Sequence, residues 1–195
     1  VNGTLALPVD QKFISIGELK EIGFSLYKIN KLVSDGKLAK LNKKYYENIT
    51  YIGDDSDFYY VNAYIPNGVV CLLSAAAYYD LTTFIPSEID VAIPRKAKVS
   101  NMPDWPQMAI HYFTDKRHSF GVETIIDRHN SFKIYDLEKT VTDIVFYRET
   151  VGIEETKEVL TNYLHRQDRN LNKLLKCAEF MKCDNVMRRY LEVLI

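Results

Sequence analysis

Six lysines crowd into residues 24–46: Lys28, Lys31, Lys37, Lys40, Lys43 and Lys44 stand against one acidic residue, Asp35. The segment carries a formal excess of five positive charges. The whole chain of 195 residues balances 25 Lys and Arg against 26 Asp and Glu. A near-neutral chain has no global electrostatic pull toward nucleic acid or an anionic membrane, so such binding must come from a local patch. Cations at this density suit the phosphates of double-stranded DNA, where each contact releases counterions. Within the segment, Ser25, Tyr27, Lys28, Asn30 and Lys31 are polar types suited to a helix entering the major groove. Lys37, Lys40, Lys43 and Lys44, with Asn42, suit backbone contacts. The competing interpretation is a solvated lysine-rich face on a module that binds only protein.

Other candidate chemistries are incomplete. Asp136, Glu138 and Asp143 form an acidic group, but spacing from i to i+7 on one helix does not converge three carboxylates on a metal; a helix cap and a salt-bridge pair account for them better. Glu88 and Asp90 have the spacing of nucleotidyltransferase carboxylates without the upstream Gly-Ser helix start that holds a triphosphate. A metal-dependent nuclease of the Asp…Glu-x-Lys kind, with Asp90 as first carboxylate, meets Glu123-Thr124-Ile125, which lacks the lysine. His111, His118, His129 and His165 have neither an i, i+4 pairing nor a Cys partner, and Ser74 has no glycine elbow. Cys71, Cys177 and Cys183 are odd in number and widely spread, which points to a reducing cytoplasm. Neither a cofactor nor a metal is expected. A second basic group, Arg95, Lys96 and Lys98, follows Pro94, and Arg188 and Arg189 could join it in a second phosphate-facing surface.

The elements that position the basic segment follow from apolar spacing. Ile16, Leu19 and Ile22 mark a short helix, Gly23 a turn, and Ser25 the cap of a second helix with Leu26, Ile29, Leu32 and Val33 on one face. Gly36 stops that helix, and Leu38 and Leu41 alternate with polar residues toward a hairpin tip at Asn42 and Lys43. The pattern predicts an N-terminal winged helix-turn-helix over residues 1–52. The polar stretch 53–57 reads as a linker, and residues 58–195 as a mixed α/β domain. In that domain 58–65 is a strand or a helix start and a helix begins near Val69. Short β-branched or aromatic runs at 89–93, 108–113, 122–127 and 132–135 make a small sheet, with His129-Asn130-Ser131 as a turn. Helical patterns over 154–166, 171–181 and 186–195 end the chain in a helical bundle. The expected class is therefore α+β. No run is apolar and long enough to span a bilayer, and no secretory signal pattern opens the chain. The chain starts at Val1, not Met, which leaves room for a preceding segment.

One segment narrows the function further. Residues 135–152 read Y-D-L-E-K-T-V-T-D-I-V-F-Y-R-E-T-V-G, in which Asp136 caps a helix and Lys139 occupies a first-turn position that the helix dipole disfavours. This wording resembles the D-L-x-[RK]-T-x-x-D-x-x-x-Y-R stretch of the AbiEi-type antitoxins of abortive-infection, or type IV toxin–antitoxin, systems. G-V-V-C-L-L-S-A-A-A-Y-Y-D-L-T, D-V-A-I-P-R-K-A-K, F-G-V-E-T-I and the final L-L-K-C-A-E-F-M-K-C-D-N-V-M-R-R-Y-L-E-V-L are similar to further family segments in the same order. So is E-L-K-E-I-G-F-S in the N-terminal module. The wing, Leu41-Asn42-Lys43-Lys44-Tyr45-Tyr46, departs from the family's K-x-G-R-G-x-Y, so the minor-groove reach of a wing arginine falls to lysine or is absent. The resemblance implies an autorepressor that binds operator repeats upstream of its own operon; a monomer in solution that binds cooperatively on DNA is compatible with this. It also implies an antitoxin that counteracts a nucleotidyltransferase toxin without forming a stable complex; because every carboxylate set above is incomplete, no catalysis is expected. Arg95, Lys96, Lys139, Asp143 and Arg148 are the residues expected to form or border the antitoxin surface. The alternatives are a metal-dependent nuclease or nucleotidyltransferase with a winged-helix targeting domain, and a protein-binding adaptor.

Overall fold

The computed structural model describes residues 5–99 and 102–194. The chain forms two compact units, Val1–Pro66 together with Ile125–Phe132, and Asn67–Thr124 together with Lys133–Ile195. No helix among the described residues is long and apolar enough to cross a membrane.

In the first unit, β1 (Phe13–Ser15) leads into α1 (Ile16–Ile22), followed by α2 (Leu26–Ser34), β2 (Leu38–Lys40) and β3 (Tyr45–Asn48). Both ends of α1 are set by local chemistry. The Glu18 amide donates to Ser15 Oγ at 3.2 Å and Ser15's own amide donates to Glu18 Oε2 at 2.7 Å, a reciprocal capping box. Gly23 ends the helix at φ 106°, a left-handed conformation that costs glycine little. Ser25 then caps α2, its hydroxyl accepting from the Lys28 amide. The three strands form an antiparallel sheet of order β1-β3-β2, with Ile14 opposite Tyr46 and Ala39 opposite Glu47. Ile14, Leu19, Phe24, Ile29, Leu38 and Tyr46 make the core. Fully burying a side chain such as Ile29 stabilises the unit by about 1.5–3 kcal/mol.

The boundary lies beyond the polar stretch 53–57. Residues 58–65 contain a helix, α3 (Phe58–Tyr64), and it belongs to the first unit. Among the contacts that hold it there, the Tyr60 hydroxyl donates to Glu47 at 2.9 Å, Asn42 Nδ2 donates to the Ala63 carbonyl at 3.0 Å, and the Phe13 and Tyr60 rings meet edge to face at 4.7 Å. Within 53–57, Asp55 pairs with the buried Lys12, which anchors the stretch to its own unit. In place of the expected division into residues 1–52 and 58–195, the first unit runs to Pro66 and takes in Ile125–Phe132.

The second unit is built on a five-stranded mixed sheet of order β6-β5-β4-β8-β7. Its elements are β4 (Val69–Val70), α4 (Leu72–Tyr78), β5 (Ile89–Pro94), β6 (Met108–Phe113), α5 (Asp115–Ser119), β7 (Val122–Asp127) and β8 (Asn130–Tyr135). The turn end of the last two strands is counted with the first unit. Val69 and Val70 pair antiparallel with β5, and Val70 pairs parallel with Ile134 of β8. Their β-branched side chains suit a central strand better than the start of a helix, so α4 begins only after Cys71. Asn130 and Ser131 likewise belong to β8, and Arg128, at φ 53°, makes the turn.

Five helices close the chain: α6 (Leu137–Phe146), α7 (Arg148–Val151), α8 (Ile153–His165), α9 (Leu171–Met181) and α10 (Asp184–Leu194). Helix α6 is the axis of this bundle and packs against α4, α8, α9 and α10, so every residue from Glu138 to Val145 is buried. Val141, Ile144, Val159, Leu160, Tyr163, Leu174, Ala178 and Met187 form the surrounding core. A helix covered on all sides has no solvent face for charge, and any charged residue on it needs a partner inside.

Candidate nucleic-acid interface

The helical period of α2 separates its residues cleanly. Ile29 is fully buried, while Tyr27, Lys28, Asn30 and Lys31 are exposed, Tyr27 at 79%. Helix α2 packs against β2, and the chain passes from one to the other through Gly36, at φ 69°, with the Lys37 amide donating to the Leu32 carbonyl at 2.9 Å. Lys37, Lys40, Lys43 and Lys44 are all exposed along β2 and the hairpin turn. None of the six lysines pairs with a carboxylate among the described residues. Lys44 rests 5.1 Å above the Tyr45 ring. Unpaired lysines leave their charge to solvent or to a polyanion, and helix α2 presents hydroxyl, amide and ammonium groups beside them.

Two of the expected contact residues also serve the fold. Ser25 spends one acceptor on the cap of α2 and keeps its hydroxyl proton for another partner. Asn42 is committed more fully. Its Oδ1 accepts from the Lys44 and Tyr45 amides at 2.8 and 2.9 Å and its Nδ2 donates to Ala63, so its side chain holds the hairpin turn and does not point free at the tip. Asn42 therefore positions Lys43 and Lys44. Lys20, at the end of α1, is a further exposed cation without a carboxylate partner among the described residues; its neighbours Glu18 and Glu21 mask it in the sequence.

The residues expected on one antitoxin surface do not share one. Arg95 and Lys96 are exposed after β5, and Arg148 is half-buried. Lys139 and Asp143 are both 0% exposed and pair with each other inside α6. Lys139 Nζ lies 4.1 Å from the Tyr135 ring centroid and 5.3 Å from that of Phe113. Asp143 Oδ1 is buried and has no hydrogen-bond partner among the described residues. Burial pushes the Asp143 carboxyl up to about 6, and the neighbouring Lys139 opposes that rise. The unusual first-turn lysine thus works inside the fold. Its backbone amide donates to the capping Asp136 at 2.9 Å, while its side chain reaches one turn along to Asp143. Gly121 makes this possible. It sits at φ 70°, its carbonyl accepts from the Asp136 amide, and a Cβ there would lie 2.8 Å from that of Lys139.

Each of the other carboxylates singled out in the sequence is engaged or isolated. Glu138 accepts from the Tyr163 hydroxyl at 3.2 Å and pairs with Lys173 at 2.9 Å, and Lys173 also reaches Asp136 at 3.3 Å. That lysine lies too far along the chain for its role to be read from spacing. Asp90 Oδ1 meets His111 Nε2 at 2.8 Å, and its Oδ2 accepts from the Ser74 amide at 3.2 Å. Ser74 is buried, and its Oγ accepts from the Asp90 amide at 2.8 Å. Glu88 and Glu123 are exposed. Among the described residues no three His, Cys, Asp or Glu side chains converge as metal ligands. Cys71, Cys177 and Cys183 are buried free thiols, and burial pushes their ionisation upward, to about 11 for Cys177 and Cys183. They remain protonated at neutral pH.

No protein-family model and no curated protein sequence matches the chain. Among solved structures it is similar to the crystal structure of the Rv2827c protein from Mycobacterium tuberculosis. That similarity has a TM-score of 0.47 and 13% sequence identity, over 94% of this chain and 76% of that one.

Proposed function

We propose that the first unit is a winged helix-turn-helix which sets α2 in the major groove of double-stranded DNA and the β2–β3 hairpin against the neighbouring backbone. The observation that carries this reading is the set of six exposed lysines without carboxylate partners among the described residues, on α2, β2 and the hairpin turn. Tyr27, Lys28, Asn30 and Lys31 face base edges, and the Ser25 hydroxyl donates to a phosphate at the helix start. Lys37, Lys40, Lys43 and Lys44 neutralise phosphates. With these four lysines on phosphates, affinity falls with a log–log salt slope of about −4.

On the resemblance of its second unit, the chain is the antitoxin and autorepressor of a type IV, abortive-infection pair. It acts in the cytoplasm by binding and not by catalysis, as a monomer that occupies operator repeats cooperatively. It counteracts a nucleotidyltransferase toxin without a stable complex. Arg95 and Lys96 are the exposed residues retained for that role.

The test is a gel shift on the DNA upstream of the chain's own gene, repeated over a salt series. Lys28→Glu combined with Lys31→Glu is expected to abolish the shift with the melting temperature unchanged, since both side chains are exposed and unpaired. Retention of affinity by this double variant would remove α2 as the reading helix.

A further inference from the structure

A groove in the second unit has the wrong chemistry for DNA. Between α10 and the start of the α7–α8 pair lies a depression of about 340 Å³, lined on the α10 side by Val186, Tyr190 and Val193. Their spacing puts them on one face of the helix. Val186 and Tyr190 lean on the bundle core, but Val193 does not and is 84% exposed. Leu194 adds a further apolar side chain, and Arg148, Lys157 and Arg189 complete the lining, so an apolar floor is bordered by three cations.

Those cations are loosely held. Lys157 pairs with Glu154 at 2.9 Å and Arg148 with Glu149 at 3.5 Å, yet the side chains of both glutamates are more than four-fifths exposed. Ion pairs with so exposed a member are weak in water and exchange readily for other carboxylates. Arg189 has no carboxylate partner among the described residues. Isolated surface apolar residues need no explanation, but a continuous apolar groove with a basic border does.

We propose that this groove binds an acidic amphipathic helix of a partner protein. Two apolar side chains spaced i, i+4 would enter between Val186, Tyr190 and Val193, and flanking Asp or Glu would meet Arg148, Lys157 and Arg189. Nucleic acid would satisfy the cations but leave the floor uncovered. A second copy of this chain, groove to groove, would set the three cations against their own counterparts. The proposal uses the second unit alone and does not rest on the DNA-binding reading.

The test uses the full chain and a fluorescein-labelled helical peptide with Leu at i and i+4 and Glu on both flanks, followed by fluorescence anisotropy. Saturable binding that weakens with salt is expected, and a peptide with Lys in place of Glu should not bind. Val193→Asp and Arg189→Glu are each expected to weaken binding at least about tenfold with no change in melting temperature. Arg189→Glu should in turn gain measurable affinity for the lysine peptide. Absence of saturable binding, equal binding of the two peptides, or full affinity in Val193→Asp would each overturn the proposal. So would a concentration-dependent dimer, seen by sedimentation, that Val193→Asp dissolves while the peptide fails to bind; the groove would then be a self-contact.

Discussion

Replacing Lys139 with Met removes one member of an ion pair that has no access to water. Methionine has nearly the length of lysine and leaves little cavity, and its sulfur suits the Tyr135 and Phe113 rings that flank the ammonium group. The loss is therefore electrostatic. Asp143 already has one oxygen without a partner, and the substitution strips the other. Breaking a buried pair on one side costs about 3–5 kcal/mol. A domain of this size has about 5–15 kcal/mol in total, so Lys139→Met should lie near the threshold of folding. Changing both partners, Lys139→Met with Asp143→Leu, removes the desolvated charges together and should return stability to within about 1 kcal/mol of the parent, or above it. Urea unfolding at neutral pH, followed by circular dichroism, measures the cycle, with a constant slope confirming a comparable denatured state. A cost below about 1 kcal/mol for the single change, or a double variant as unstable as the worse single one, would refute the internal pair as the reason for a lysine at this position.

Gly121→Ala is expected to destabilise the second unit by about 1–3 kcal/mol, because the new methyl meets Lys139 Cβ at 2.8 Å and the backbone lies at positive φ; an unchanged melting temperature would contradict the close approach. The Asp143 carboxyl is raised from its usual 3.8 to about 6 by burial, so its contribution to stability is full below about 3.8 and is lost as pH rises through about 6. Asp143→Asn should accordingly gain stability relative to the parent between pH 4 and pH 7, and a flat or falling difference would reverse the sign argued here. Arg95→Ala with Lys96→Ala, both exposed, should hold the melting temperature within a few degrees while toxin neutralisation in cells fails; full neutralisation would move the antitoxin surface elsewhere.

Position 139 shows what the sequence made legible and where it stopped. The mismatch between a lysine and the positive end of α6 was visible, as was the i, i+4 spacing to Asp143, yet the direction of both side chains was not. A spacing of four places two residues on one face but does not say whether that face meets water or four other helices. Covering of α6 by α4, α8, α9 and α10 is a property of distant segments, and so is the reach of Lys173 to Glu138 and Asp136. The same limit moved the boundary of the first unit, because the acidic stretch 53–57 has the composition of a linker while Asp55 answers a buried Lys12. Residues 24–46 were readable for the opposite reason. Their period separates Ile29 from Tyr27, Lys28, Asn30 and Lys31, and among the described residues no carboxylate lies within ion-pair distance of the six lysines, although Glu18 feels the charge of Lys44. A charged residue that stays outside keeps the meaning its local sequence gives it; one that is carried inside takes its meaning from whatever the fold brings to it. On the proposed antitoxin reading, the surface to test is one that includes Arg95, Lys96 and Arg189, which have no carboxylate partner among the described residues.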